Sequence, residues 1–237
     1  MRPKLLISSI FTLVVLSHLT VGDVVDCPPG CSPGRWSSGA VDLSSKHVKF
    51  PDENRDIRVY SPNRRSAFRV QNQNWWVEVE GVKISPGNDD SEIYYPVEIS
   101  WAPDDRTFYI TKSFGYTTGY NTKVFRIDQG HINSLVDVDQ IAREAFSAHR
   151  CKDQDANFAG FAWEDHSDRL VVVAEVPNVG ICYEMGYFAG FEISLSTGRI
   201  LARYSPNQLA ARWPKLFGEE LKSDLRYLSR KEKSKVP

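Results

Sequence analysis

The sequence is poor in the residues that catalytic signatures are built from. It has five histidines and four cysteines in 237 residues. It contains no Gly-x-Ser-x-Gly elbow, no His-Glu-x-x-His pair, no phosphate-cradling glycine loop and no EF-hand loop. The familiar hydrolase, zinc-protease, nucleotide and calcium signatures are therefore excluded, and no catalytic residue is assigned. His47, His131, His149 and His166 have no metal-ligand spacing. Cys27 and Cys31 enclose three residues rather than the two of a thioredoxin-like pair, and no second cysteine pair or nearby histidine completes a zinc site. No metal and no cofactor is assigned.

A basic excess and a second long apolar run are also missing. Residues 1–22 begin with Arg2 and Lys4, continue as the apolar run Leu5–Leu16, and end in a small, polar stretch to Gly22. That is the layout of a secretory signal peptide, and the run is short for a bilayer span. The expectation is an exported chain, secreted or periplasmic. Without this segment 27 basic residues face 30 acidic ones, a net charge of about −3, which argues against nucleic acid as a partner. No membrane span is expected after signal cleavage.

Four cysteines in an oxidising compartment allow three disulfide pairings. Pairing within each local couple, Cys27 with Cys31 and Cys151 with Cys182, is the expectation adopted. Closing the larger loop would contribute about 3–4 kcal/mol. Residues 23–46 are rich in proline, glycine and serine and are expected to form an irregular lead-in, with Trp36 packed onto the core.

What the chain has in quantity is alternating strands separated by turns. Ser100-Trp101-Ala102-Pro103-Asp104-Asp105-Arg106 ends one strand and turns into Thr107–Thr111, a second strand of alternating character. Tyr60-Ser61-Pro62-Asn63-Arg64-Arg65 aligns with it 41 residues earlier, and Glu164-Asp165-His166-Ser167-Asp168 is a third, more divergent copy. Each copy is followed by further strands and a turn containing Gly81, Gly130 or Gly198. The predicted fold is therefore mainly β, with three antiparallel β-meander repeats over residues 47–205. Trp101 to Trp163 exceeds the 41-residue period by 21, and an inserted helix accounts for most of the excess. Val138, Ile141, Ala142, Ala145, Phe146 and His149 give the helical stripe at about 137–150. Asp137 and Gln140 have capping-box spacing, and Val136 with Ile141 form the staple. Ser205-Pro206 starts another helix, and residues 206–237 form a helical, basic tail whose last residues, from Ser229, are expected to be disordered.

The turn-and-strand pattern Trp101-Ala102-Pro103-Asp104-Asp105-Arg106-Thr107-Phe108-Tyr109-Ile110 resembles the WD40-like repeats of secreted bacterial β-propellers of the TolB type. Asp105 stands where those repeats usually have glycine, and Glu164-Asp165-His166 departs from their Ser-Pro-Asp core. The resemblance implies a blade-like hairpin and no enzymatic activity. Closed propellers have about four to eight blades, and three repeats are too few to close one. Open sheet edges must then be covered, blunted or paired, and pairing with a second copy is one way to do so.

Two functional expectations follow. The first is an exported, non-catalytic module that binds a protein or glycan through Trp75, Trp76, Tyr94, Tyr95, Tyr116 and Tyr120. Trp75 and Trp76 are adjacent on a strand and point to opposite faces, one to the core and the other to solvent. The second is a hydrolase acting on glycans through acidic loop residues, which requires two facing carboxyls about 5–10 Å apart with substrate between them.

Overall fold

The computed structural model describes residues 32–43, 57–71, 74–87, 97–113, 119–146, 155–178 and 184–233. The first repeat is a four-stranded antiparallel meander of β3 (Ile57–Tyr60), β4 (Ser66–Gln71), β5 (Asn74–Val79) and β6 (Val82–Ile84). The second is β7 (Val97–Trp101), β8 (Thr107–Ser113), β9 (Tyr120–Asp128) and β10 (His131–Ser134). The third is β11 (Asn157–Glu164), β12 (Arg169–Glu175), β13 (Phe188–Ser194) and β14 (Ile200–Tyr204). The expected β-meander fold is thus present, with no closed barrel or propeller among the described residues.

The segment expected as an irregular lead-in does more than lead in. β1 (Ser32–Pro33) and β2 (Val41–Asp42) add two short strands to the free side of β7, making the second sheet six-stranded. Trp36 between them is buried, as expected.

Period-two alternation decides how the sheets stack. Ile57, Val59, Phe68, Val70, Trp75 and Val77 face Ile99, Trp101, Phe108, Ile110 and Phe125 of the second sheet. The opposite face of the second sheet, with Tyr109 and Val124, packs on Phe158, Leu170, Val172 and Phe191 of the third. The outer face of the third sheet, with Phe161, Val171, Val173 and Phe188, is covered by Trp36 and by Leu209, Trp213, Phe217 and Leu221 of the C-terminal segment. The molecule is therefore a stack of three sheets and one helical layer.

Each repeat docks on the previous one through its first turn and its tryptophan. Trp101 Nε1 donates to the Val59 carbonyl at 3.0 Å, and Trp163 Nε1 donates to Ser100 Oγ at 3.2 Å. Asp105 accepts from the backbone N–H of Asn63 at 2.8 Å and from its side-chain amide at 2.7 Å. The Asp104 N–H donates to Ser167 Oγ at 3.1 Å, joining the second turn to the third. Arg64 and Asp105 occupy equivalent left-handed positions, with φ of 56° and 59°. That explains why glycine is the usual residue there, and the bonds to Asn63 explain why this chain has an aspartate instead.

The inserted helix α1 spans Val138–Phe146, and residues 147–150 of the expected helix lie outside the described residues. Asp137 Oδ1 accepts from the Gln140 N–H at 3.0 Å, whereas the Gln140 side chain bonds Glu144 rather than closing the box. Val136 and Ile141 meet over Gly198, and Val138, Ala142 and Phe146 are buried between the second and third sheets. Helix α2 (Pro206–Arg212) has the full capping box of Ser205 and Gln208. Helix α3 (Glu219–Lys233) runs through Ser229 to Lys233, a stretch expected to be disordered. Its stripe of Leu221, Leu225 and Leu228 packs toward the third sheet, and this packing carries the helix on.

Candidate functional site

The outer face of the first sheet is the end of the stack. Antiparallel register places Arg58 opposite Arg69 and Arg69 opposite Trp76, with Ala67 opposite Glu78 and Glu78 opposite Lys83. These residues share the face turned away from the second sheet. Trp76 is only 9% exposed, because the Arg69 guanidinium lies 5.3 Å and the Lys83 ammonium 4.3 Å from its ring centre. Both are cation–π contacts, and their aliphatic stems cover the indole. Arg69 also pairs with Glu78 at 2.5 Å. Tyr60 is 41% exposed and carries Arg64 over its ring at 5.4 Å. Between Ile57 and Ile84 the sequence has five cations, Arg58, Arg64, Arg65, Arg69 and Lys83, against two acids, Glu78 and Glu80. This basic sheet contrasts with a chain that is acidic once residues 1–22 are removed.

A second polar feature is buried where the lead-in, the second and third sheets and α3 converge. Glu98, 3% exposed, lies opposite Asp42 on β2. Its Oε1 accepts from the N–H groups of Arg35 at 2.5 Å and Trp36 at 3.1 Å. Burial, then the adjacent Asp42, push its carboxyl up to about 8 against the pull of these amides. Beside it the Arg35 side chain binds Tyr120 Oη at 3.0 Å and Glu220 at 2.9 Å. Asn157 accepts from the N–H groups of Gly119 and Tyr120 and donates to Glu175 Oε2 at 2.6 Å. Asn178 donates to Asp224 on α3. Glu175 and Asp224 are 1% and 0% exposed, and burial is the first cause that raises both carboxyls. On α1, burial likewise pushes Asp139 up to about 8 while its Oδ2 accepts from the Thr122 N–H at 2.8 Å.

Of the aromatic residues expected to form one site, the three that are described, Trp75, Trp76 and Tyr120, do not converge. Trp75 is a core residue packed among Phe68, Phe108 and Phe125. Trp76 points to the opposite face as expected, but its cationic neighbours bury it, correcting the expectation that it is solvent-exposed. Tyr120 starts β9 and is half-buried edge-on against Trp36 at 5.2 Å, on the far side of the stack from Trp76. Tyr94, Tyr95 and Tyr116 lie outside the described residues, as do Cys27, Cys31, Cys151 and Cys182 with their expected pairing. The buried acids escaped sequence reasoning because polar positions on an alternating strand are read as solvent-facing. Glu98 and Ser100 alternate with Ile99 and Trp101, yet another layer covers their face too. The signal available was the absence of lysine and arginine from that polar face of β7.

No protein-family model matches the chain, and no curated protein matches it. A solved structure of Kuenenia stuttgartiensis hydrazine synthase is similar to it at 13% identity and a TM-score of 0.35, covering 79% of this chain and about half, 52%, of that one.

Proposed function

We propose that the protein is an exported, non-catalytic β-repeat module that binds an acidic partner through the outer face of its first sheet. The observation that carries this reading is the register of Arg58, Arg69, Trp76 and Lys83 on one terminal face. Arginine and tryptophan are the residue types that dominate binding energy at protein interfaces. Because cations cover the Trp76 ring, the face offers charge rather than an open aromatic plane, which favours an acidic protein segment over a stacked sugar. The hydrolase alternative gains no support from the facing carboxyls Glu175 and Asp224, since both are buried and leave no place for a substrate between them.

Interferometry against immobilised poly-L-glutamate, polygalacturonate and neutral amylose tests the proposal. Polyglutamate is expected to bind, about tenfold more weakly when salt is raised from about 50 to about 300 mM, because exposed charges are screened. The double substitution Arg58→Glu with Lys83→Glu should abolish binding, whereas Lys222→Glu on α3 should leave it unchanged. Equal binding by all three proteins would refute the proposal. Retention of polygalacturonate or amylose alone would move the partner to the glycan class.

A further inference from the structure

We propose that Glu175 and Asp224 share one proton, and that this proton fastens the C-terminal helix α3 to the third sheet. Glu175 ends β12 on the face turned to the helical layer, and Asp224 lies on the buried side of α3. Each acid has one oxygen bonded to an asparagine amide, Glu175 Oε2 to Asn157 and Asp224 Oδ1 to Asn178. The remaining oxygens, Glu175 Oε1 and Asp224 Oδ2, are buried without a donor. The two carboxyls are hydrogen-bond neighbours, and two ionised carboxylates cannot bond to each other, because neither has a hydrogen to donate. One proton supplies the missing donor and removes one of two buried negative charges.

The surroundings favour a proton over ionisation. Asn157 cannot reverse its amide without losing two acceptor contacts, to the N–H groups of Gly119 and Tyr120, both at 3.1 Å. Among the described residues, the charged group acting on the pair is Glu220, one turn earlier on α3, and its sign is repulsive. Arg35 of the lead-in is directed to Glu220 and to Tyr120 Oη rather than to the pair. When the proton is lost, two like charges oppose each other across the β12–α3 contact, and the apolar cover over Phe161 and Phe188 loosens. The pair is thus a pH-operated fastening: closed in acid, released in alkali.

Hydrogen exchange of the α3 amides in the full chain, from about pH 5 to about pH 9, tests this. Above about pH 4–5, where the carboxyls of the opened helix ionise, protection factors over residues 221–228 should fall by up to about tenfold per pH unit, and level off once the folded pair has itself lost its proton, as linkage to one proton requires. Glu175→Gln places a permanent donor opposite Asp224 and should shrink the fall to the part contributed by Glu98 and Asp139; Asp224→Asn should do the same if the first variant does not fold. Constant protection of the unmodified chain across this range, or an undiminished fall in both variants, would overturn the proposal. Restoration of alkaline protection by calcium or magnesium chloride would also overturn it, assigning the two free oxygens to a cation instead.

Discussion

Replacing Asp105 by glycine separates the two demands made on the repeat turn. The backbone there is left-handed, with φ of 59°, so glycine should relieve about 1 kcal/mol of conformational cost. The same change removes both bonds from Asn63, at 2.8 and 2.7 Å, each to an ionised acceptor and each contributing about 1.5–3 kcal/mol. It also leaves the Asn63 N–H without its partner. The loss outweighs the gain, and a net destabilisation of about 2–5 kcal/mol is expected. Arg64→Gly is the matched control. It relieves the same backbone strain at φ of 56° and leaves the Asn63–Asp105 bonds in place, so it should cost less than Asp105→Gly. Urea unfolding at constant slope measures both, and a cycle of Asn63→Ala with Asp105→Gly should return a coupling of about 1–3 kcal/mol. If Asp105→Gly raised the midpoint, or the coupling vanished, the turn-to-turn linkage would not hold the sheets together.

Other outcomes follow from the same packing. A Cβ on Gly160 would lie 2.7 Å from the Tyr109 ring; Gly160→Ala should therefore cost about 1–3 kcal/mol by overpacking, and thermal unfolding of the pair with Tyr109→Leu should show partial rescue. Trp213→Phe removes the bond from Nε1 to Glu164 at 2.9 Å and should destabilise by about 1–2 kcal/mol, read as a lower urea midpoint. Stability should also fall as pH rises. Glu98 and Asp139 have folded-state values raised to about 8, so the folded state holds protons that the unfolded chain releases above about pH 4–5. Their contribution is fully present below that range and is lost as pH climbs through 8. Glu98→Gln should be nearly neutral at about pH 5 and stabilising at about pH 9 in the same unfolding assay.

Much of the architecture was legible because turns and alternation are local. Pro62 and Pro103 mark equivalent turns, the excess spacing before Trp163 announced α1, and Ser205-Pro206 announced α2. The lead-in strands were not legible. β1 and β2 are two residues each and form only because the free edge of β7 offers partners, an interaction between positions nearly 60 residues apart. The continuation of α3 was hidden for a similar reason, since its helicity is sustained by packing from Leu221, Leu225 and Leu228 rather than by its basic end. Glu98, Glu175 and Asp224 were invisible as a group because stacking, not strand alternation, decides that their faces are covered. The burial of Trp76 required knowing that Arg69 and Lys83 flank it across two strand pairings.

The central claim is that partners bind the outer face of the first sheet. The most direct measurement is the change in the backbone and indole amide resonances when poly-L-glutamate is added to the labelled protein. Shifts confined to Arg58, Arg69, Lys83 and the Trp76 indole N–H, titrating together and vanishing at high salt, are the predicted result. Shifts confined to α2 and α3, or to the third sheet, with the first sheet silent, would contradict it.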